Sequence, residues 1–209
     1  MIYVNIIDTQ NLIGVDVIDA VRSLPFGENE KARLLSIKAE GRRLESLGAL
    51  IALRDIMAKR ADLTQIEIVR DEQGNGKPRF DDPALPHFSL AHSCKISAAA
   101  VSDAPVGIDV EVIRPHARKE ELAARFFTSD EQKAFSQSGT DKDFLLIWTQ
   151  KEALVKLHGA SLADSLGAPL SYGKCIFSGI VSIGEQDAAM SVYSAVDDEV
   201  KINISSLDN

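Results

Sequence analysis

Cysteine is scarce in this chain: only Cys94 and Cys175 occur among 209 residues, and they lie far apart. That excludes a zinc site built on paired cysteines and a disulfide-stapled scaffold. The two thiols read as small buried hydrophobes in a reduced cytoplasm. Long apolar runs are missing too. None approaches the ~20 residues that a membrane span requires, so no membrane partner is expected. The start, Met1-Ile2-Tyr3-Val4-Asn5, has no basic segment followed by an apolar one, and reads as a first strand rather than a signal peptide. Positive charge is in deficit, since 23 Lys and Arg against 31 Asp and Glu give a net charge of -8. Nucleic-acid binders draw most of their affinity from a basic surface, so no nucleic-acid partner is expected; a local basic patch is not excluded. Two nucleotide signatures are also absent. Gly74-Asn75-Gly76-Lys77-Pro78 lacks the spacing and terminal Lys-Ser/Thr of a P-loop, and no Gly-x-Gly-x-x-Gly occurs.

What is present is an ordinary globular composition, 45% hydrophobic and 26% charged, with length for two halves of about 100 residues each. Ile2 to Ile7 reads as a strand, and Asn11 to Leu24 as a turn plus a short helix. Asn29 to Lys59 carries the longest helical pattern, with Leu44, Leu47, Leu50 and Ile51 at helical spacing and a break expected at Gly41. A short strand over Gln65 to Val69 leads into a Gly/Pro/Asp-rich loop, then strands at Phe88 to Leu90 and Lys95 to Ser102. Asp103-Ala104-Pro105 turns the chain into a strand over Val106 to Val112, expected to form a hairpin with the strand before it. Further on, Thr128-Ser129-Asp130-Glu131 is a capping-box helix start. Asp143 to His158 reads as a helix stopped by Gly159, and strands are expected at Gly173–Ile180, Met190–Val196 and Val200–Ile204. Each half thus offers strands and one long apolar helix, though the sequences do not match well enough to establish a repeat. The layout predicts an α+β fold of two similar halves, 1–104 and 105–209. In this pseudo-dimer each half packs a small, mostly antiparallel sheet on a long helix, with the active site in the cleft between them.

The residues with chemistry fall in a few short segments. In Gly107-Ile108-Asp109-Val110-Glu111, strand alternation sends both acids to one face and Ile108 and Val110 to the other. Read plainly, this is a solvated strand face. Read as a site, it offers two oxygen ligands to Mg²⁺, which binds one or two carboxylates together with substrate phosphates. In Trp148-Thr149-Gln150-Lys151-Glu152-Ala153-Leu154-Val155-Lys156, helical spacing aligns Trp148, Glu152 and Lys156, with Lys151 beside them. Glu152 and Lys156 form an i, i+4 pair, which by itself is ordinary helix-surface chemistry. His92 near a strand end and Lys77 in a loop are each unremarkable alone. Converging, three carboxylates and two lysines would suit a hard dication and a phosphate.

Together, in this order, the segments resemble the 4′-phosphopantetheinyl transferases, in particular the two-half type that activates peptide and polyketide synthetases. The matching pieces are Gly76-Lys77-Pro78, Phe88-Ser89-Leu90-Ala91-His92-Ser93, Gly107-Ile108-Asp109-Val110-Glu111, Arg125-Phe126-Phe127-Thr128, and Trp148 to Ala153 with Lys156 and Gly159. They extend over about residues 25 to 180. The chain departs from the family at Ser89 and Ala91, where Asn and Ser are usual; Ala91 removes a hydroxyl expected near a phosphate.

The resemblance implies transfer of phosphopantetheine from coenzyme A to a serine of an acyl or peptidyl carrier protein, releasing 3′,5′-ADP. It implies a Mg²⁺ site at Asp109, Glu111 and Glu152, with Glu152 also the serine's base and Lys156 neutralising charge. On the coenzyme A side it implies His92 at the 3′-phosphate, Lys77 and Pro78 at the adenine end, and Lys31, Arg43 and Lys151 as further phosphate ligands. A monomer is expected. The basic run Arg114-Pro115-His116-Ala117-Arg118-Lys119, with Arg125, is the candidate docking surface for an acidic carrier. Two alternatives stand beside this reading: a catalytically silent carrier-binding module of the same fold, and another Mg²⁺-dependent phosphotransferase.

Overall fold

The computed structural model describes residues 1–60, 66–70, 77–159 and 173–205. Residues 71–76 of the expected Gly/Pro/Asp-rich loop, and Gln65 of the short strand, lie outside the described residues. The fold is α+β, built as four layers. A four-stranded sheet holds β1 (Ile2–Asp8), β4 (His87–Ser93), β5 (Ile96–Ser102) and β9 (Val200–Ser205), in the order β4-β5-β1-β9. A three-stranded sheet holds β6 (Val106–Val112), β7 (Lys174–Ile183) and β8 (Gln186–Ser194), in the order β6-β8-β7. A short hairpin joins β2 (Ile68–Val69) to β3 (Arg79–Phe80). The helices are α1 (Val17–Arg22), α2 (Glu28–Ser36), α3 (Glu40–Met57), α4 (Lys119–Phe126), α5 (Ser129–Ser138) and α6 (Asp141–His158).

Side-chain alternation builds the layers. Ile7, Phe88, Ala99 and Val101 face α3 and its Leu47, Leu50 and Leu53. The opposite face of the same strands presents Ile2, Val4, Ile6, Ala98 and Ala100 to Ile108, Val110, Met190 and Val192 of the second sheet. Beyond that sheet lies α6, with Ala153 and Leu157 against Tyr193, and Phe144 and Leu145 against Ala189. The space between the sheets is therefore a packed apolar core, not an open cleft, and the polar groups gather beside it.

The structure corrects three sequence expectations. β6 does not form a hairpin with β5. It pairs with β8, Asp109 opposite Ser191, because both edges of β5 are already taken by β1 and β4. The long helical pattern breaks at Ile37 to Ala39, between α2 and α3, and Gly41 sits inside the first turn of α3. Cys94 is only half-buried, packed against the inter-sheet core, and Cys175 is exposed on the edge strand β7, so neither is fully buried as expected. The connection from β5 to β6 falls at Asp103 to Pro105. β9, from the far end of the chain, runs parallel to β1 with Ile2 opposite Val200 and completes the first sheet. The capping box forms as expected: Thr128 Oγ1 accepts from Glu131 N, and Glu131 Oε2 accepts from Thr128 N. α6 stops at Gly159, whose φ of 66° is left-handed.

Candidate active site

With Ile108 and Val110 in the inter-sheet core, Gly107, Asp109 and Glu111 face α6. Gly107 sets the separation. A Cβ there would lie 1.9 Å from the Ala153 carbonyl oxygen, so only glycine lets strand and helix backbones approach this closely. Asp109 is 6% exposed. Its Oδ1 accepts from Lys156 Nζ at 2.7 Å, while Oδ2 is buried without a hydrogen-bond partner among the described residues. Ser93 of β4 donates to Glu111 Oε2 at 2.5 Å. Glu152 accepts no hydrogen bond among the described residues.

All three carboxyls hold their protons more tightly than usual. Burial is the main cause for Asp109, opposed by the Lys156 ammonium. Burial also raises Glu111, with the Asp109 charge adding to it and the Ser93 hydroxyl opposing. Glu152 is pushed up to about 7 by burial and by the charges of Asp109 and Glu111, with Lys156 opposing.

His92 stands on the face of β4 turned to α3, and its Nδ1 lies 3.2 Å from Glu45 Oε2. Burial lowers its pKa; the Lys156 and Arg42 cations add to this, while the Glu45 and Asp109 carboxylates oppose it. The other Glu45 oxygen accepts from Lys95 N at 3.0 Å. Lys95 lies in the two-residue turn Cys94-Lys95, both residues at positive φ (44° and 76°), which closes the β4–β5 hairpin. Three elements from distant parts of the chain, β4, β6 and α6, thus bring together Ser93, Asp109, Glu111 and Lys156, with Glu152 and His92 in electrostatic reach.

Other expected site residues stand differently. Lys77 donates to the carbonyls of Val106 at 2.8 Å and Leu157 at 3.3 Å, and the adjoining Pro78 is half-buried. Lys151, 5% exposed, forms an ion pair with Glu131 at 2.8 Å and ties α6 to the start of α5. Lys31 pairs with Glu28 at 3.0 Å, and Arg43 reaches the Ile37 carbonyl at 3.4 Å with its Nε buried and without a hydrogen-bond partner among the described residues. Ala91 packs in the apolar inter-sheet core and does not face the acids. Much of the basic run is internally paired: Arg118 with Glu121, Lys119 with Asp141, and Arg125 over the Phe126 ring. Trp148 stacks on Phe144 and meets Phe126 edge-on, a packing role.

Sequence reasoning missed Glu45 and the hydroxyls of Ser89 and Ser93. Ser89 Oγ accepts from Ile108 N and Ser93 Oγ from Val112 N, so both lock β4 against β6. Their spacing was a usable signal, because strand period two puts residues 89, 91 and 93 on one face. Nothing local marks Glu45, whose role depends on how α3 crosses β4.

Among the described residues, no three carboxylate, imidazole or thiol groups stand together as a preformed metal cluster. The donor chemistry nevertheless fits a hard dication. The donors are carboxylate oxygens, one Asp109 oxygen has no partner among the described residues, and at Glu152 the Asp109 and Glu111 charges add to burial in raising the pKa, with the Lys156 ammonium opposing.

A family model described as the 4′-phosphopantetheinyl transferase superfamily matches residues 105–181. The chain is 36% identical over 121 residues to 4′-phosphopantetheinyl transferase psf-1 of Bacillus pumilus, covering 56% of this chain and 51% of that protein. It is 28% identical over 139 residues to the Bacillus subtilis 4′-phosphopantetheinyl transferase Sfp, covering 65% of this chain and 60% of that one. A further Bacillus subtilis 4′-phosphopantetheinyl transferase is 30% identical over 189 residues, covering 85% of this chain and 79% of the relative. The chain thus spans 51% and 60% of the first two relatives' length, and most of the third's.

Proposed function

The chain belongs to the 4′-phosphopantetheinyl transferase superfamily, and from that premise we propose that it transfers 4′-phosphopantetheine from coenzyme A to a serine hydroxyl of an apo acyl or peptidyl carrier protein. One observation carries this reading: the Asp109–Lys156 pair, Glu111 and the near-neutral Glu152 converge where β6 and α6 meet, with His92 of β4 in electrostatic reach. In the reaction, the serine oxygen bonds to the pantetheine-side phosphorus of the coenzyme A pyrophosphate. The bond from that phosphorus to the bridging oxygen breaks, and the electron pair leaves with 3′,5′-ADP.

Glu152 takes the serine proton. A carboxyl held near pH 7 is matched to that task, since it is ionised often enough to act and basic enough to pull. Lys156 offsets charge on the departing phosphate. Asp109, Glu111 and Glu152 would hold magnesium, which when bound supplies Lewis-acid neutralisation of the pyrophosphate oxygens. His92 meets the 3′-phosphate. Burial lowers the His92 pKa, so the ring takes up a proton on meeting that dianion. Arg43, whose Nε has no hydrogen-bond partner among the described residues, and Lys31 are the next phosphate ligands; Lys151 serves by bracing α6. The acidic carrier docks beside Arg114, which lies near enough to Glu111 to lower its pKa. The protein acts as a monomer, because one chain supplies every group, and in the cytoplasm, where its free Cys94 and Cys175 stay reduced. No helix among the described residues is long and apolar enough to cross a membrane.

The test is intact-mass analysis of apo carriers from fatty-acid, polyketide and peptide pathways after incubation with coenzyme A and Mg²⁺. A transferase adds one phosphopantetheine mass and stops in excess chelator. A carrier complex without mass gain would make the chain a silent binding module.

A further inference from the structure

We propose that Lys77 is a positioning residue that staples the start of β6 to the end of α6, and so sets the separation at which the acids on the strand meet Glu152 and Lys156 on the helix. This deepens the transferase reading and rests on it. The first observation is the contact itself. β6 and α6 touch backbone to backbone at Gly107, where a Cβ would lie 1.9 Å from the Ala153 oxygen and 2.6 Å from Leu157 N. No side chain fits between them to hold the two elements in register. The second observation is where the Lys77 ammonium sits. It donates to the carbonyl of Val106, the residue before Gly107, at 2.8 Å, and to the carbonyl of Leu157, the residue after Lys156, at 3.3 Å.

Leu157 lies in the last turn of α6, where carbonyls lack helical partners and a cation is favoured. One ammonium therefore serves a carbonyl in the last helical turn and a strand carbonyl together. The stem packs at the helix stop, with Lys77 Cβ 3.7 Å from the position a Cβ on Gly159 would take. Burial lowers the Lys77 pKa to about 8, as expected of an ammonium enclosed by protein rather than reaching for a ligand in solvent. Asp109 lies three residues along the strand from one end of the staple, and Lys156 adjoins the other. Loss of the staple loosens the geometry that the reacting groups share, and a displacement of about 1 Å at such groups is enough to slow a reaction roughly 10²-fold.

The test compares the full chain with Lys77→Met, which keeps the stem and removes the donors, and Lys77→Arg, which keeps a cationic donor. Three quantities are read: coenzyme A Kd by calorimetry, kcat for carrier loading, and hydrogen exchange in peptides covering 106–111 and 153–158. For Lys77→Met, kcat should fall about 10-fold or more, coenzyme A Kd should stay within about twofold, and exchange should speed up in both peptides. Lys77→Arg should recover most of the kcat and the protection. A weakened Kd with unchanged exchange would make Lys77 a nucleotide contact and overturn the staple; so would unchanged exchange with unchanged kcat. If Lys77→Met is not recovered folded, Lys77→Arg decides by the same measures, with a raised Kd and wild-type exchange against the staple. A wild-type chain that loads no carrier would sink the transferase reading, while the exchange result would still judge the staple.

Discussion

α3 and α6 are each 18 residues long, and each covers the outer face of one sheet. α3 buries nine residues, all apolar or glycine, and all but Gly48 and Ala49 lie in the cluster with Phe88, Ala99 and Val101. α6 buries seven, and two of them are Thr149 and Lys151. It also turns Lys156 onto a buried aspartate and holds Glu152 where its proton is retained to about pH 7. The first helix is an anchor; the second carries charge, only partly paired, against its sheet. α3 joins the chemistry only through its polar opening turns, where Glu45 meets His92. Stability and chemistry are thus divided between opposite outer layers, with the apolar inter-sheet core between them.

Mutations on the two sides should separate these roles. The largest effect is expected from Asp109→Asn, which keeps the shape and removes the charge. Carrier loading should fall roughly 10³-fold, while the unfolding free energy drops by less than for a core truncation in α3. A comparable loss of stability would mean that the Asp109–Lys156 pair is structural and the division false. Next is Leu50→Ala in α3, at a fully buried site. It should lower stability by about 2–5 kcal/mol in urea melts, with near wild-type kcat wherever the chain is folded; a selective loss of kcat would show that α3 reaches into the chemistry. Third is Glu152→Gln, which should slow transfer roughly 10²-fold and remove the acid limb near pH 7 from the pH–rate profile. An unaltered limb would assign the base elsewhere.

Most of the fold was legible because it rests on local signals. Strand-like runs gave β1 and β6 and the later part of β8, and Gly159 and Thr128 marked helix ends that the structure keeps. What escaped was non-local. β6 lies directly after β5 in sequence, yet pairs with β8 some 80 residues on, because strand partners are chosen by which edges are free. Of the site, Asp109, Glu111, Glu152 and Lys156 were visible through spacing within two elements. Glu45 was not, since it reaches His92 only through the crossing of α3 over β4. Lys77 was visible as a residue but not by its partners, because backbone carbonyls leave no trace in side-chain sequence.

The smallest effect is the sharpest test of charge on the α6 side. Asp109, Glu111 and Glu152 all have folded-state pKa values above their unfolded ones, Glu152 rising from 4.5 to about 7. The folded chain therefore binds these protons more tightly than the unfolded chain does. As pH rises past 4.5 the unfolded chain releases the Glu152 proton first, so stability falls with rising pH until the folded group also ionises near 7, and then levels off. A dication that binds the ionised carboxylates of the folded chain acts in the opposite direction, and does so only where they are ionised. Mg²⁺ should accordingly raise the melting midpoint by a few degrees, about 1–2 kcal/mol, at pH 8 and by almost nothing at pH 5. The pH 8 gain should disappear in Asp109→Asn and persist in Leu50→Ala, which leaves the α6 side untouched. A gain of equal size at both pH values, or one retained in Asp109→Asn, would place the magnesium away from these acids. Lys156 would then be the cation that balances them.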